Sequence, residues 1–209
     1  MAARIERVVT SGTFALDGGE WEVDNNVWLV GDDHEVLVID AAHDASAILG
    51  AVGDRRVVAV VCTHGHNDHV NAAVEVAAAK DVEIALHPAD LVLWEQEYGD
   101  LHPDLDLAEG DSWEVAGSRL AVLHTPGHSP GAVCLYAPDL GALFSGDTLF
   151  RGGPGATGRS YSDFDQIIAS IRDRLLTLPP ATVVHTGHGD DTVIGQESPH
   201  LADWIARGH

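Results

Sequence analysis

The sequence predicts an α/β fold in which two β-sheets pack back to back with helices on their outer faces. Three observations lead there. The 209 residues are 45% hydrophobic and 21% charged, an ordinary globular balance in a chain long enough for a full core without disulfides. Short β-branched runs alternate with helical patterns through both halves, and stacked layers are the way to bury so many strands. No Pro/Ser-rich linker or charge block divides the chain, so residues 1–209 read as one domain.

Residues 27–30 and 35–40 are apolar runs flanking Gly31-Asp32-Asp33, the pattern of a hairpin. Residues 57–62 form a continuous β-branched run suited to a central strand covered on both faces. A polar, histidine-rich loop follows. The alanine-rich stretch 70–80 then predicts a helix lying close on a sheet, and 82–86 the next strand. Pro88 opens a helix whose Leu91, Trp94 and Tyr98 recur at spacings of three and four, with Gly99 closing it. In the second half, 118–124, 132–137 and 142–145 read as strands. Ser162 and Asp165 form a capping box for a helix with Phe164, Ile167, Ile168, Ile171, Leu175 and Leu178 on one face. Pro179-Pro180 ends it. A short strand at 183–185 and a helix at 199–207 complete the chain.

Charge narrows the partners. Lys+Arg is 11 against Asp+Glu 33, a net −22, and Lys80 is the sole lysine. Such a surface repels phosphate backbones and anionic lipid, which excludes nucleic acid and membranes and leaves a small-molecule substrate as the expected partner. Oligomeric state stays open. Cys62 and Cys134 sit in apolar runs with no CxxC pair, as small buried hydrophobes of a reducing compartment. The N-terminus lacks an apolar signal core and no stretch approaches a bilayer span, so the chain reads as cytoplasmic.

Placement matters more than number among the thirteen histidines. Thr63-His64-Gly65-His66-Asn67-Asp68-His69 follows a buried strand directly and precedes a helix. In extended chain, residues i and i+2 point to one side, so His64 and His66 can converge on one ion. The turn into the helix aims Asp68 and His69 at a neighbouring position. Four such donors are too many for one ion that also holds water, and they suit two. Three more donors occupy glycine-flanked loops after apolar strands: His128 before Ser129-Pro130-Gly131, Asp147 after Gly146, and His188 between Gly187 and Gly189. His34, His43, His102, His200 and His209 read as solvated, and His87 as a cap for the helix at Pro88. His124 and His185 suit packing or hydrogen bonding behind ligands. Asp40, at a strand end, is either an orienting carboxylate or an ordinary turn residue.

His64-x-His66-x-Asp68-His69 with the His128, Asp147 and His188 loops resembles the metallo-β-lactamase superfamily, and within it the glyoxalase II-like hydrolases. The resemblance covers most of the chain, with its motif blocks in the family's order. It implies an αββα sandwich. It also implies one metal on His64, His66 and His128, a second on Asp68, His69 and His188, and Asp147 bridging them. The donors are imidazole and carboxylate without thiolate, which suits two Zn2+ best and leaves iron and manganese open. Two divalent ions, offset by two carboxylates and a hydroxide, leave the site about one charge positive. A bridging hydroxide would then attack a carbonyl, with Asp68 as the catalytic residue holding the proton of the attacking water.

Resemblance to glyoxalase II implies a small thioester substrate. Two departures bear on the thiol carrier: the chain ends soon after His188, without an added helical domain, and residues 149–159 lack the family's cysteine-glycine-arginine element. That segment reads as the substrate lip, with Arg151, Arg159 and Tyr161 as binding groups. A lactonase shares nearly the same ligand pattern. A persulfide dioxygenase would use a single iron and the missing element. A zinc β-lactamase would place cysteine where Asp147 stands, and an RNA nuclease would need a basic patch. A non-catalytic metal-binding protein has no feature in its favour.

Overall fold

The computed structural model describes residues 2–208. His209 lies outside them. A six-stranded sheet carries, in spatial order, β1 (Arg4–Leu16), β2 (Gly19–Gly31), β3 (Glu35–Ile39), β4 (Arg56–Val61), β5 (Ile84–Leu86) and β6 (Leu105–Asp106). The second sheet runs in the order β14 (Thr192–Val193), β13 (Val183–Thr186), β10 (Ala142–Gly146), β9 (Val133–Ala137), β8 (Ser118–His124) and β7 (Ser112–Val115). A small ribbon, β11 (Leu149–Phe150) with β12 (Gly153–Pro154), follows β10. The chain enters the first sheet as antiparallel hairpins and continues through parallel β3, β4, β5 and β6. In the second sheet β10 and β13 are parallel.

The alternation of side chains along each strand builds the layers. On β2, Val27 and Leu29 face one apolar cluster while Trp28 and Val30 face another. On β3, Val36 and Val38 divide from Leu37 and Ile39 in the same way. On β9 and β10, Leu135 and Phe144 point inward, whereas Cys134 and Leu143 point outward. The shared cluster lies between the sheets. The two outer clusters are closed by helices: Ile48 and Val52 of α1 (Ala45–Val52), Val76 of α3 (Ala73–Lys80) and Trp94 of α4 (Leu91–Tyr98) on the first sheet. On the second, Ile167 and Ile168 of α5 (Phe164–Ser170) and Trp204 of α7 (Leu201–Arg207) do so. This is the expected αββα sandwich. Both cysteines are free and buried, packed as hydrophobes. Among the described residues no helix is long and apolar enough to cross a membrane.

Three elements differ from the sequence reading. The helix expected over 70–80 is two, α2 (Asn67–Val70) and α3, because the Ala72 N–H leaves the helical ladder and donates to Ala41 O at 3.1 Å. The capping box does not form. Asp163 is the cap of α5, accepting from Gln166 N at 2.8 Å, and Ser162 Oγ instead accepts from Gly158 N and Arg159 N to close a loop. β1 and the first half of β2 are strands that the apolar pattern does not announce. They form a hairpin projecting from the sheet, with Asp17 and Gly18 at positive φ of 54° and 75°, the geometry of a type I′ turn.

Candidate metal centre

Four strands of the two sheets point their C-terminal ends at one edge of the sandwich, and the seven predicted donors meet there. β4 leads through Thr63 to His64 and His66, and α2 carries Asp68 and His69. From the other sheet, His128 follows β8, Asp147 follows β10 and His188 follows β13. Three overlapping groups have ligand atoms within 4.8 Å of one another: His64, His66 and His128; His64, His69 and Asp147; Asp68, His69 and His188. Close approach is part of the design. A Cβ on Gly187 would stand 2.3 Å from Asp147 Oδ1 and 2.7 Å from His69 Cε1.

The rings are held from behind. His69 Nδ1 lies 3.0 Å from Asp40 Oδ2, His128 Nδ1 2.9 Å from Ala156 O and His188 Nδ1 2.8 Å from Asp24 O. Each acceptor requires Nδ1 to donate, so the neutral ring keeps its lone pair on Nε2. Thr63 Oγ1 donates to Asp40 Oδ2 at 2.7 Å and therefore accepts from His64 Nδ1 at 3.1 Å. Asp40 is thus the orienting carboxylate, and Thr63 N donates to its other oxygen at 2.7 Å.

The Nε2 atoms of His69, His128 and His188, and Nδ1 of His66, face inward and crowd one another. His69 Nε2 is 3.2 Å from His188 Nε2, and His128 Nε2 is 3.0 Å from His66 Nδ1. His69 Nε2 lies 3.3 Å from Asp147 Oδ1, and His188 Nε2 3.3 Å from Asp68 Oδ2. Lone pairs opposed at such distances need a cation between them. His64 Nε2, Asp68 Oδ1 and Asp147 Oδ1 are buried without a hydrogen-bond partner, an arrangement native interiors avoid unless an ion satisfies it. The donor set fits two divalent metals.

Electrostatics agree. Burial lowers His64 well below the usual imidazole range and His66 to about 3, keeping both neutral and able to ligate. Burial opposes charge on His69 and His188 too, but the facing Asp147 and Asp68 carboxylates outweigh it, raising His69 well above its usual value and His188 to about 10. Against its own burial, Asp147 is held well below the carboxylate range by His188 and His69.

A cavity of about 100 Å³ opens on the site, lined by His66, Asp68, His128 and Asp147 together with Phe14, Leu16, Ala156 and Arg159. Arg159 is the one residue of the three predicted on the lip that lines it. Its guanidinium lies 3.9 Å from the Trp21 ring centroid and 5.3 Å from that of Phe14. Arg151 turns outward to an ion pair with Asp190, and Tyr161 is exposed. β11 and β12 pair with each other ahead of the lip, and the cavity wall is made by residues between 156 and 162 and by Phe14 and Leu16 of β1.

The sequence pattern missed four contributors. Phe14, Trp21 and Asn25 belong to the hairpin that it did not announce. Asp90, wholly buried, accepts from Gly65 N, Ser129 Oγ and Gly131 N, tying the His64–His66 loop to the His128 loop. His43, expected in solvent, is half-buried and bonded to Asn25 and Asn71. His87 caps the turn at Pro88 as expected, accepting from Ala89 N, and stacks on His124 with centroids 4.2 Å apart.

A sequence model of the metallo-beta-lactamase superfamily matches residues 21–188. Hydroxyacylglutathione hydrolase GloC of Haemophilus influenzae is 33% identical over 82% of this chain and 89% of its own. Probable metallo-hydrolase YqgX of Bacillus subtilis is 34% identical over 80% and 86%. Among solved structures, TTHA1623 in a di-iron-bound form superposes with a TM-score of 0.73 at 36% identity, covering 84% of this chain and 93% of that one. The BLEG-1 B3 metallo-beta-lactamase does so with a TM-score of 0.78 at 28% identity, covering 93% and 99%.

Proposed function

This chain belongs to the metallo-beta-lactamase superfamily, and on that premise we propose that it is a dinuclear metal-dependent hydrolase of a small thioester. The observation that carries the reading is the set of imidazoles whose Nδ1 atoms are tied outward while their Nε2 lone pairs converge beside Asp68 and Asp147. His64, His66 and His128 would hold one ion and Asp68, His69 and His188 the other, with Asp147 facing both sets. Two divalent ions there would activate water and polarise a carbonyl. Imidazole and carboxylate donors take zinc, and they take iron as well, the metal of the related TTHA1623 structure.

The remaining steps belong to the chain. Asp68, buried beside the site, takes up the proton of the attacking water. Phe14 and Leu16 wall the cavity and exclude bulk solvent. Arg159, with its faces against aromatic rings, keeps its in-plane N–H groups free for a carboxylate or carbonyl of the substrate. The similarity to a hydroxyacylglutathione hydrolase supports an acyl-thiol substrate.

The test is a panel of thioesters, lactones, a chromogenic cephalosporin and a phosphodiester on zinc-loaded and iron-loaded protein, with metal content measured alongside. Thioester turnover with two metals per chain is the expected result. Lactone hydrolysis without thioester cleavage would replace the substrate class, and one iron with sulfur oxidation would replace the reaction. Arg159→Ala should raise KM about tenfold or more with little change in kcat, the worth of a charged hydrogen bond to bound substrate.

A further inference from the structure

A chain of hydrogen bonds enters the site from behind Asp68, and a backbone group fixes its direction. The His43 N–H meets the Asn71 side chain at 2.6 Å. A backbone N–H can only donate, so that atom of Asn71 is its oxygen, and the amide nitrogen is the end facing His43 Nδ1 at 3.0 Å. Nδ1 must then accept, which places the proton of the neutral ring on Nε2. His43 Nε2 donates to the Asn25 side chain at 2.9 Å, so the atom it meets is oxygen. Asn25 therefore turns its amide nitrogen to Asp68 Oδ2, 3.2 Å away. Each role follows from the one before it, with no freedom left to flip either amide.

The surroundings are shaped for this chain. Asn25 is wholly buried on β2. Burial lowers the His43 pKa, which favours the neutral ring that the pattern requires. His43 adopts a φ of 59°, uncommon outside glycine. β1 carries Gly12 where the ring lies, and a Cβ there would stand 2.2 Å from His43 Nδ1. At the far end, the Asp68 carboxylate has one oxygen engaged by Asn25 and the other buried without a partner.

We propose that Asn25 and His43 are positioning residues that fix the Asp68 carboxylate against His69 and His188, and so set the affinity of the second metal site. The inference rests on the dinuclear reading given above. Asn25 donates without a charge to Asp68 Oδ2, the oxygen that lies 3.3 Å from His188 Nε2, so it fixes that oxygen in place without neutralising it. His43 acts one bond further out, by denying Asn25 its flipped orientation.

The experiment titrates metal-free full-length protein with Co(II), followed by visible absorbance and calorimetry. Wild type should take up two equivalents. Asn25→Ala should keep the first and weaken the second by about 10- to 100-fold. His43→Ala should weaken the second by a smaller factor, and His43→Gln, whose amide nitrogen can stand in for Nε2, should restore it. Gly12→Ala, which displaces the ring while leaving all three side chains of the relay in place in the sequence, should reproduce His43→Ala. Parallel weakening of both equivalents in Asn25→Ala, or no change in either, overturns the assignment. A wild type that binds one equivalent refutes the dinuclear reading itself, and the inference falls with it.

Discussion

Asp68 bonds to Asn25 on one oxygen and lies 3.3 Å from His188 Nε2, so its removal touches both metal affinity and proton transfer. Asp68→Ala is expected to lose the second metal equivalent and about 10²-fold or more in turnover, measured by metal analysis and steady-state kinetics on one preparation. Asp90 illustrates a different role. It touches no metal donor yet satisfies three buried groups on two ligand-bearing loops. Asp90→Ala strands those groups and is expected to cost about 3 kcal/mol in urea unfolding. Asp32 contributes to the acid side. Backbone donors His34 N and Glu35 N hold it at about 2, below its unfolded 3.8. A lowered carboxylate contributes stability above its unfolded value and loses it as pH falls toward the folded one. Asp32→Asn should therefore flatten the stability profile between about pH 4 and pH 2, read by denaturation at each pH.

At the scale of elements, Asn67 helps fasten the β1–β2 hairpin. Asn67 Oδ1 accepts from Ala15 N and Asn67 Nδ2 donates to Thr13 O, both at 2.9 Å, so a residue inside the histidine motif completes the edge of β1. Asn67→Ala is expected to lower stability by about 1–2 kcal/mol and to raise KM with Arg159→Ala-like effect, because Phe14 and Trp21 lose their anchor. The same hairpin marks where sequence ceases to inform. Strands covered on both faces, such as β4 and β10, are legible because burial demands unbroken apolar runs. β1 projects into solvent, buries little, and leaves only the Asp17-Gly18 pair as its signal. The histidine motif and its downstream loops are legible because ligation needs particular atoms at particular strand ends. Asn25, His43 and Asp90 are not, since their partners lie 18 to 43 positions away and only folding brings them together. Arg151 is next to the lip in sequence, while its side chain pairs with Asp190.

For the whole molecule, three apolar clusters hold the layers together independently of the metal donors. Chelation should abolish activity and lower Tm by about 10 °C while leaving the far-ultraviolet circular dichroism in place. Ligand binding at about 1,000 Kd contributes about 4 kcal/mol, and for a chain of this size each kcal/mol moves Tm by about 2–4 °C. The loss should reverse on adding zinc. A last consequence comes from which sheet supplies which donor. His64 and His66 meet His128 from across the sandwich, and Asp68 and His69 meet His188 in the same manner, so neither half owns a complete set. Any ion seated here works as a rivet through the seam of the molecule. Catalytic alignment then answers to how the two halves are mated, and a substitution deep between them, at Trp28 or Phe144, can detune the chemistry without removing a donor.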